Sequence, residues 1–287
     1  MHYINTKSIL SNNNGMNLYR GCIHGCIYCD SRSKIYNMNH DFEDIAVKEN
    51  SIELLEKTLK NKRKKVMIGT GSMSDPYMPL EKDLKYTRKT LELIYKYGHG
   101  FTCITKSNLI LRDLDLLKKI NKKTKAVVQI TLTCSDEELC KKIEPKVSST
   151  KERVNVLKKL NKEKIPTIVW LTPILPYITD TEENINKILD YCIDTNVKGI
   201  ICFGMGLTLR EGNREYFYKN LDKYWPDLKE KYIKKYKNQY TITSPNNKKL
   251  MKIFKKRTKE NNIITNTNEI FNYLHEFPQK TIQTKLI

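Results

Sequence analysis

Lys65-Val66-Met67-Ile68-Gly69-Thr70-Gly71-Ser72 is a short apolar run that stops on a Gly-Thr-Gly-Ser turn. Such a run reads as a buried strand, and residues 81–97 follow it with apolar side chains at 84, 91 and 94, the spacing of a helix. The unit then repeats. Strands are expected at 101–105, 126–133, 165–172 (closed by Pro173) and 197–204, and helices at 109–120, 150–162 and 181–194. With a short strand before Cys22 this makes about six strand–helix units. Repeats of this kind predict a parallel sheet with function at the carboxyl ends of its strands. Six units fall short of a closed eightfold barrel, so the fold class expected is α/β, an incomplete (β/α)6 TIM-type barrel over residues 1–210. Beyond it the pattern turns helical, at 211–221, 227–237, 246–261 and 269–277. Residues 211–287 thus read as a C-terminal helical extension packed on the barrel, with no boundary that forces a separate domain.

A chain of 287 residues with 39% hydrophobic residues can bury a sizeable core, and 29% charged residues with a mean hydropathy of −0.59 argue against disorder. The longest apolar stretch, residues 199–207, is far short of the roughly 20 residues that span a bilayer. The first residues carry no apolar signal core, so the expected location is cytoplasmic, with no membrane partner. The net charge of +20 suits a nucleic-acid partner, since each neutralised phosphate releases a counterion. The excess is mostly lysine spread along helix faces, however, which solvation alone also explains.

Eight cysteines are present. Five are scattered in apolar surroundings and read as small core residues. The other three fall within Tyr19-Arg20-Gly21-Cys22-Ile23-His24-Gly25-Cys26-Ile27-Tyr28-Cys29. Thiolates spaced x3 and x2 on a glycine-containing loop can converge on one inorganic centre. A closed zinc site would need a fourth ligand from His24, His40 or a distant cysteine. A [4Fe–4S] cluster usually takes four cysteines, and three would leave one iron open to an outside ligand.

That spacing, with an aromatic residue before the last cysteine, resembles the signature of the radical S-adenosylmethionine (SAM) superfamily. The longer run Asn17–Cys29 resembles its spore photoproduct lyase-like branch, also called DNA repair photolyase-like proteins. Further blocks fit the same branch: Ser74-Asp75-Pro76-Tyr77-Met78-Pro79-Leu80-Glu81, Thr105-Lys106-Ser107, Leu111-Arg112-Asp113, Ile143-Glu144-Pro145 with Ser148-Ser149 and Arg153, and Gly204 to Gly212. The resemblance implies a [4Fe–4S] cluster on Cys22, Cys26 and Cys29. It also implies SAM held by Tyr28 beside the adenine, by Ser74, Asp75 and Lys106, and by Thr131 or its neighbour Thr133. The expected activity is reductive cleavage of SAM to a 5′-deoxyadenosyl radical that acts on a substrate, with nucleic acid the leading class. A flavodoxin or ferredoxin is the expected electron donor.

One position departs from the branch. The family places a hydrogen-donor cysteine directly before the Ser-Asp pair, and here that residue is Met73. A thioether cannot return a hydrogen atom, so a reaction other than the lyase repair is expected, with Cys103 and Cys134 remaining as relocated donors. Several blocks also have plainer readings. Ser74-Asp75-Pro76 can be a helix-start turn, Lys106 a solvated lysine, and Glu144-Pro145 a helix ending before proline. Glu144 with Arg153, and Arg210 with Glu211, can be structural salt bridges. A protein or small molecule is a second substrate class. The alternative to an enzyme is a non-catalytic, Fe–S- or zinc-stabilised nucleic-acid-binding protein. The tail at 283–287 faintly resembles a sliding-clamp-binding pentapeptide.

Overall fold

The computed structural model describes residues 1–278; the tail at 283–287 lies outside the described residues. Six strands form one parallel sheet in sequence order: β1 (Gly15–Met16), β2 (Met67–Thr70), β3 (Gly100–Thr105), β4 (Ala126–Thr131), β5 (Thr167–Trp170) and β6 (Gly199–Ile201). Around them run helices α1 (Ser51–Asn61), α2 (Tyr86–Tyr97), α3 (Leu114–Lys123), α4 (Glu137–Ile143), α5 (Thr150–Lys162) and α6 (Glu182–Asp194). The architecture is a mixed α/β fold with a parallel core and flanking helices.

Strand alternation sends Phe101, Cys103, Val128, Ile130, Val169 and Ile200 to one face, where they pack with leucines and isoleucines of the flanking helices. Val127, Ile168 and Ile201 take the opposite face, covered by Ile270 and Leu274. Those two belong to α10 (Thr267–His275), the last of four C-terminal helices among the described residues, after α7 (Asn213–Tyr224), α8 (Pro226–Tyr236) and α9 (Asn247–Glu260). The C-terminal part also joins the sheet, because Ile264 bridges Gly199 in parallel at the β6 edge. An antiparallel pair, β7 (Gly206–Thr208) and β8 (Thr241–Thr243), completes this region.

Local chemistry explains where expectation and structure part. Helix α5 runs over the expected 150–162, opened by a capping box between Ser149 and Glu152. The helix expected at 81–97 is broken at Lys85, which turns left-handed (φ 56°). Buried Glu81 accepts the Thr87 backbone N–H at 2.9 Å and so starts α2 afresh. Strand β4 stops at Thr131, and the helix expected at 109–120 opens as a 3-10 segment, Asn108–Asp113. A three-stranded sheet of His2–Ile4, Ala46–Lys48 and Tyr19–Arg20 was not expected. Its strands are too short to show a period.

Candidate active site

The cysteine loop leaves the edge strand Tyr19–Arg20 and is gripped by two segments. Cys22 N–H donates to the Phe42 carbonyl (2.9 Å), Ile27 N–H to that of Ile143 (3.0 Å), and Lys146 N–H to that of His24 (3.1 Å). The glycines permit this closeness. A Cβ on Gly21 (φ +92°) would stand 2.5 Å from the Phe42 oxygen, and one on Gly25 (φ +69°) would stand 3.2 Å from the Pro145 ring.

Cys22 and Cys26 are buried, and Cys29 is half-buried. Burial pushes the Cys22 thiol up to about 12, with the Cys29 and Asp75 charges adding to it. Burial likewise lifts Cys26 well above the ordinary thiol range. The three sulfurs do not all lie within 4.8 Å of one another.

Four of the expected residues, Tyr28, Cys29, Lys106 and Thr131, line one cavity of about 670 Å3 at the carboxyl ends of β3, β4 and β5. That volume suits a cofactor-sized ligand. Trp170, Phe203 and Tyr240 close its far side. Lys106 is the cation at the wall, with its Nζ 5.7 Å from the centre of the Tyr28 ring. Burial pulls its pKa down, but the charges of Cys26, Glu144, Cys29 and Asp75 outweigh burial, and the net direction is up. Among the described residues its ammonium has no hydrogen-bond partner.

Ser74 and Asp75 sit behind the wall rather than in it. Ser74 Oγ donates to the Tyr19 carbonyl at 3.0 Å. The Asp75 carboxylate accepts from Tyr77 N–H (2.8 Å), Thr105 Oγ1 (2.7 Å) and Lys106 N–H (2.8 Å). Asp75 therefore fixes the backbone that presents Lys106. His24, which sequence reading weighed only as a metal ligand, is buried with Nδ1 3.5 Å from Asp75 Oδ2. Burial lowers its pKa, against the Asp75 charge.

A second buried group supports Tyr28. Its hydroxyl donates to Glu144, whose other oxygen takes Arg153 Nη2 at 2.6 Å. Arg153 Nη1 also reaches the Thr131 carbonyl at 2.7 Å, and Thr133 Oγ1 bonds Glu144 at 3.2 Å. Both plainer readings of Glu144 hold: helix α4 ends at Ile143, just before Glu144-Pro145, and Glu144 forms a salt bridge with Arg153. Met73 does not line the cavity. Cys103 packs on the opposite face of the sheet, and the Cys134 thiol donates to the Asp136 carbonyl, so neither points at the cavity. Arg210 is not paired with neighbouring Glu211, which instead bonds Lys34. Arg210 donates to the Tyr240 hydroxyl (2.7 Å) and stands 3.8 Å from Asp30. Tyr36 and Tyr240 at this rim went unnoticed in the sequence.

The profile of the Radical SAM superfamily matches residues 16–192, more than half of the chain. The chain belongs to the radical SAM superfamily. It is 38% identical over 171 residues to an uncharacterized protein of Methanocaldococcus jannaschii, covering 58% of this chain and 62% of that protein. An uncharacterized protein of Mycobacterium bovis is 27% identical over 230 residues, covering 77% of this chain and 66% of that one. The chain thus spans a little under two thirds of the length of these relatives. Among solved radical SAM structures, spore photoproduct lyase complexed with dinucleoside spore photoproduct superposes with a TM-score of 0.60 at 14% identity. The superposition covers 85% of this chain and 72% of that one. A cysteine-to-alanine mutant of the same lyase gives 0.64 over 91% and 78%. These likenesses are of fold. Among the described residues no helix is long and apolar enough to cross a membrane.

Proposed function

We propose that this chain is a radical SAM enzyme built on an incomplete (β/α)6 TIM-type barrel. Residues 1–210 would form the barrel unit and the residues from 211 on its packed extension. Cys22, Cys26 and Cys29 would hold a [4Fe–4S] cluster. The observation that carries this reading is that Cys29 of the three-cysteine loop and Lys106, whose ammonium has no hydrogen-bond partner among the described residues, line one cavity at the strand ends. The donor set fits the group. One zinc ion with bonds of about 2.3 Å draws its sulfurs to within about 3.8 Å of each other, and at least one pair of the sulfurs here stands more than 4.8 Å apart. A cubane that binds each cysteine through a different iron suits the wider spacing.

When bound, such a cluster would supply the electron that breaks the sulfonium bond of SAM and gives a 5′-deoxyadenosyl radical. The chain's own residues do the rest. Lys106 pairs with the SAM carboxylate, Tyr28 flanks the adenine with its ring set by Glu144, and Thr131 closes the strand edge. Asp75 and Ser74 hold Lys106 and Tyr19 in register from behind. The +20 charge and the lyase-like fold support a nucleic-acid substrate, and a flavodoxin or ferredoxin is the class of reductant.

The test is anaerobic reconstitution with iron and sulfide. The expected product is brown and, once reduced, gives a paramagnetic signal that changes when SAM is added. Replacing Cys22, Cys26 or Cys29 by Ala should abolish the signal, whereas Cys192→Ala should leave it. Protein that stays colourless and carries stoichiometric zinc would overturn the reading. With the cluster intact, Lys106→Ala should weaken SAM binding roughly ten- to hundredfold, the worth of a charge-assisted bond. Because Met73 replaces the donor cysteine and lies off the cavity wall, the protein should cleave SAM yet fail to repair the dinucleotide spore photoproduct. Multiple-turnover repair by the wild type would refute that expectation.

A further inference from the structure

His2, His40 and Asp44 lie outside the cavity, beside the turn that supports Cys22. Their ligand atoms all fall within 4.8 Å of one another. The two imidazoles stand edge to face, with ring centres 4.9 Å apart at 88°. His2 Nδ1 is 2.9 Å from Asp44 Oδ2, while the Met1 nitrogen lies 2.6 Å from Oδ1. One carboxylate oxygen is therefore turned toward His2.

His40 carries the argument. Its Nδ1 stands 3.0 Å from the Asp41 carbonyl oxygen. A carbonyl only accepts, so Nδ1 bears the hydrogen and Nε2 is left with a lone pair. That Nε2 is covered from solvent and has no hydrogen-bond partner among the described residues. A buried acceptor without a partner calls for an explanation, and an imidazole whose other nitrogen donates to a backbone carbonyl is the arrangement of a metal-ligating histidine.

We propose that His2, His40 and Asp44 form a second metal site, a mononuclear Zn2+ centre with its fourth position open to water. Two imidazole nitrogens, which are borderline donors, beside one carboxylate oxygen make a set that suits zinc rather than magnesium or calcium. A tetrahedral ion with bonds of about 2.0–2.1 Å puts neighbouring ligand atoms about 3.3 Å apart. The 2.9 Å His2–Asp44 separation is close to that edge, and the other two separations are within 4.8 Å. The ion would tie the first strand, where His2 N–H bonds Ile45 O, to the 40–44 turn whose Phe42 carbonyl holds Cys22. Its task would be to brace the loop from outside.

The test titrates Zn2+, and Co2+ as its spectroscopic stand-in, into untagged, iron–sulfur-reconstituted protein after desalting. One equivalent should bind at micromolar concentration or tighter. Bound Co2+ should show tetrahedral ligand-field bands without a sulfur-to-metal charge-transfer band. His40→Ala and the conservative Asp44→Asn should each weaken binding at least tenfold, with the iron content unchanged and the far-ultraviolet circular dichroism native. Binding only at millimolar metal, undiminished affinity in both variants, or a thiolate charge-transfer band would each overturn the proposal. Iron content and SAM response are read separately, so failure of this site leaves the cysteine-loop reading standing.

Discussion

Tyr19 enters the cysteine loop and Tyr28 leaves it, and each phenol donates to a buried glutamate paired with an arginine. At the entrance the set is Tyr19, Glu81 and Arg112; at the exit it is Tyr28, Glu144 and Arg153. The surroundings differ. Arg112 is partly open to solvent and shares itself with Asp113 at 2.7 Å. Arg153 is fully buried, and the charge of Lys106 also reaches Glu144. Burial therefore wins at Glu81, whose pKa is raised despite bonds from Tyr19, Thr87 and Arg112. At Glu144 burial works the same way, but Arg153 and Lys106 overcome it and the pKa is lowered. Similar side chains thus give a loose anchor at the loop's entrance and a tight, charge-locked one at its exit. The tight one holds the ring that faces the proposed SAM site.

The largest effect should come from breaking the tight anchor. Glu144→Gln leaves the Arg153 guanidinium buried without a counter-charge, and such losses run to about 3–5 kcal/mol. Urea unfolding should show this, and iron incorporation should fall because Tyr28 and Ile143, which hold the loop's end, lose their support. Replacing Glu144 and Arg153 together by apolar residues of similar volume should recover much of the stability. A loss below about 1 kcal/mol for Glu144→Gln would mean that the pair is hydrated and the contrast with Glu81 is false.

Breaking the loose anchor should cost less. Gln at 81 can still accept from Thr87 N–H and Tyr19, and Arg112 keeps Asp113. Glu81→Gln should therefore cost about 1–1.5 kcal/mol, the worth of a hydrogen bond or so. Iron content should be close to that of the wild type. Equal losses at 81 and 144 would erase the comparison.

How far these anchors were legible in the sequence depends on how local their cause is. The cysteine spacing and the repeat of strand and helix were plain, because each is written within ten or twenty residues. The capping box at Ser149 and Glu152 set the start of α5 where expected. The break at Lys85 was not legible, since it depends on Glu81 turning inward to Thr87 and Tyr19, a contact across 62 positions in the second case. Ser74 and Asp75 were picked out by type, but their orientation toward Tyr19 and Lys106 is a property of the packed loop. The cavity's far wall was the least legible part. Phe203 and Tyr240 come from opposite sides of two inserted helices, α7 and α8, and line one cavity because the three-residue strands β7 and β8 pair. Strands that short carry no period to read.

The smallest expected effect concerns pH, and it separates the two anchors by sign. Each unfolded glutamate titrates near 4.5. Glu144 sits below that value when folded, so its stabilisation is complete above 4.5 and disappears as pH falls through its lower folded pKa. Glu81 sits above 4.5 when folded. The folded chain then binds its proton more tightly than the unfolded chain does, and this group adds stability as pH falls from above its raised pKa toward 4.5. Each contribution grows with the displacement of the folded pKa from the unfolded one. Glu81→Gln should therefore flatten the stability curve on the side above 4.5 and leave the acid limb as in wild type. Glu144→Gln should do the reverse, from a lower starting stability. Urea midpoints collected from neutral pH into acid would read both limbs. If the two variants change the same limb, the different surroundings of the two glutamates do not set their titration, and the surplus positive charge assigned to the cavity side is wrong.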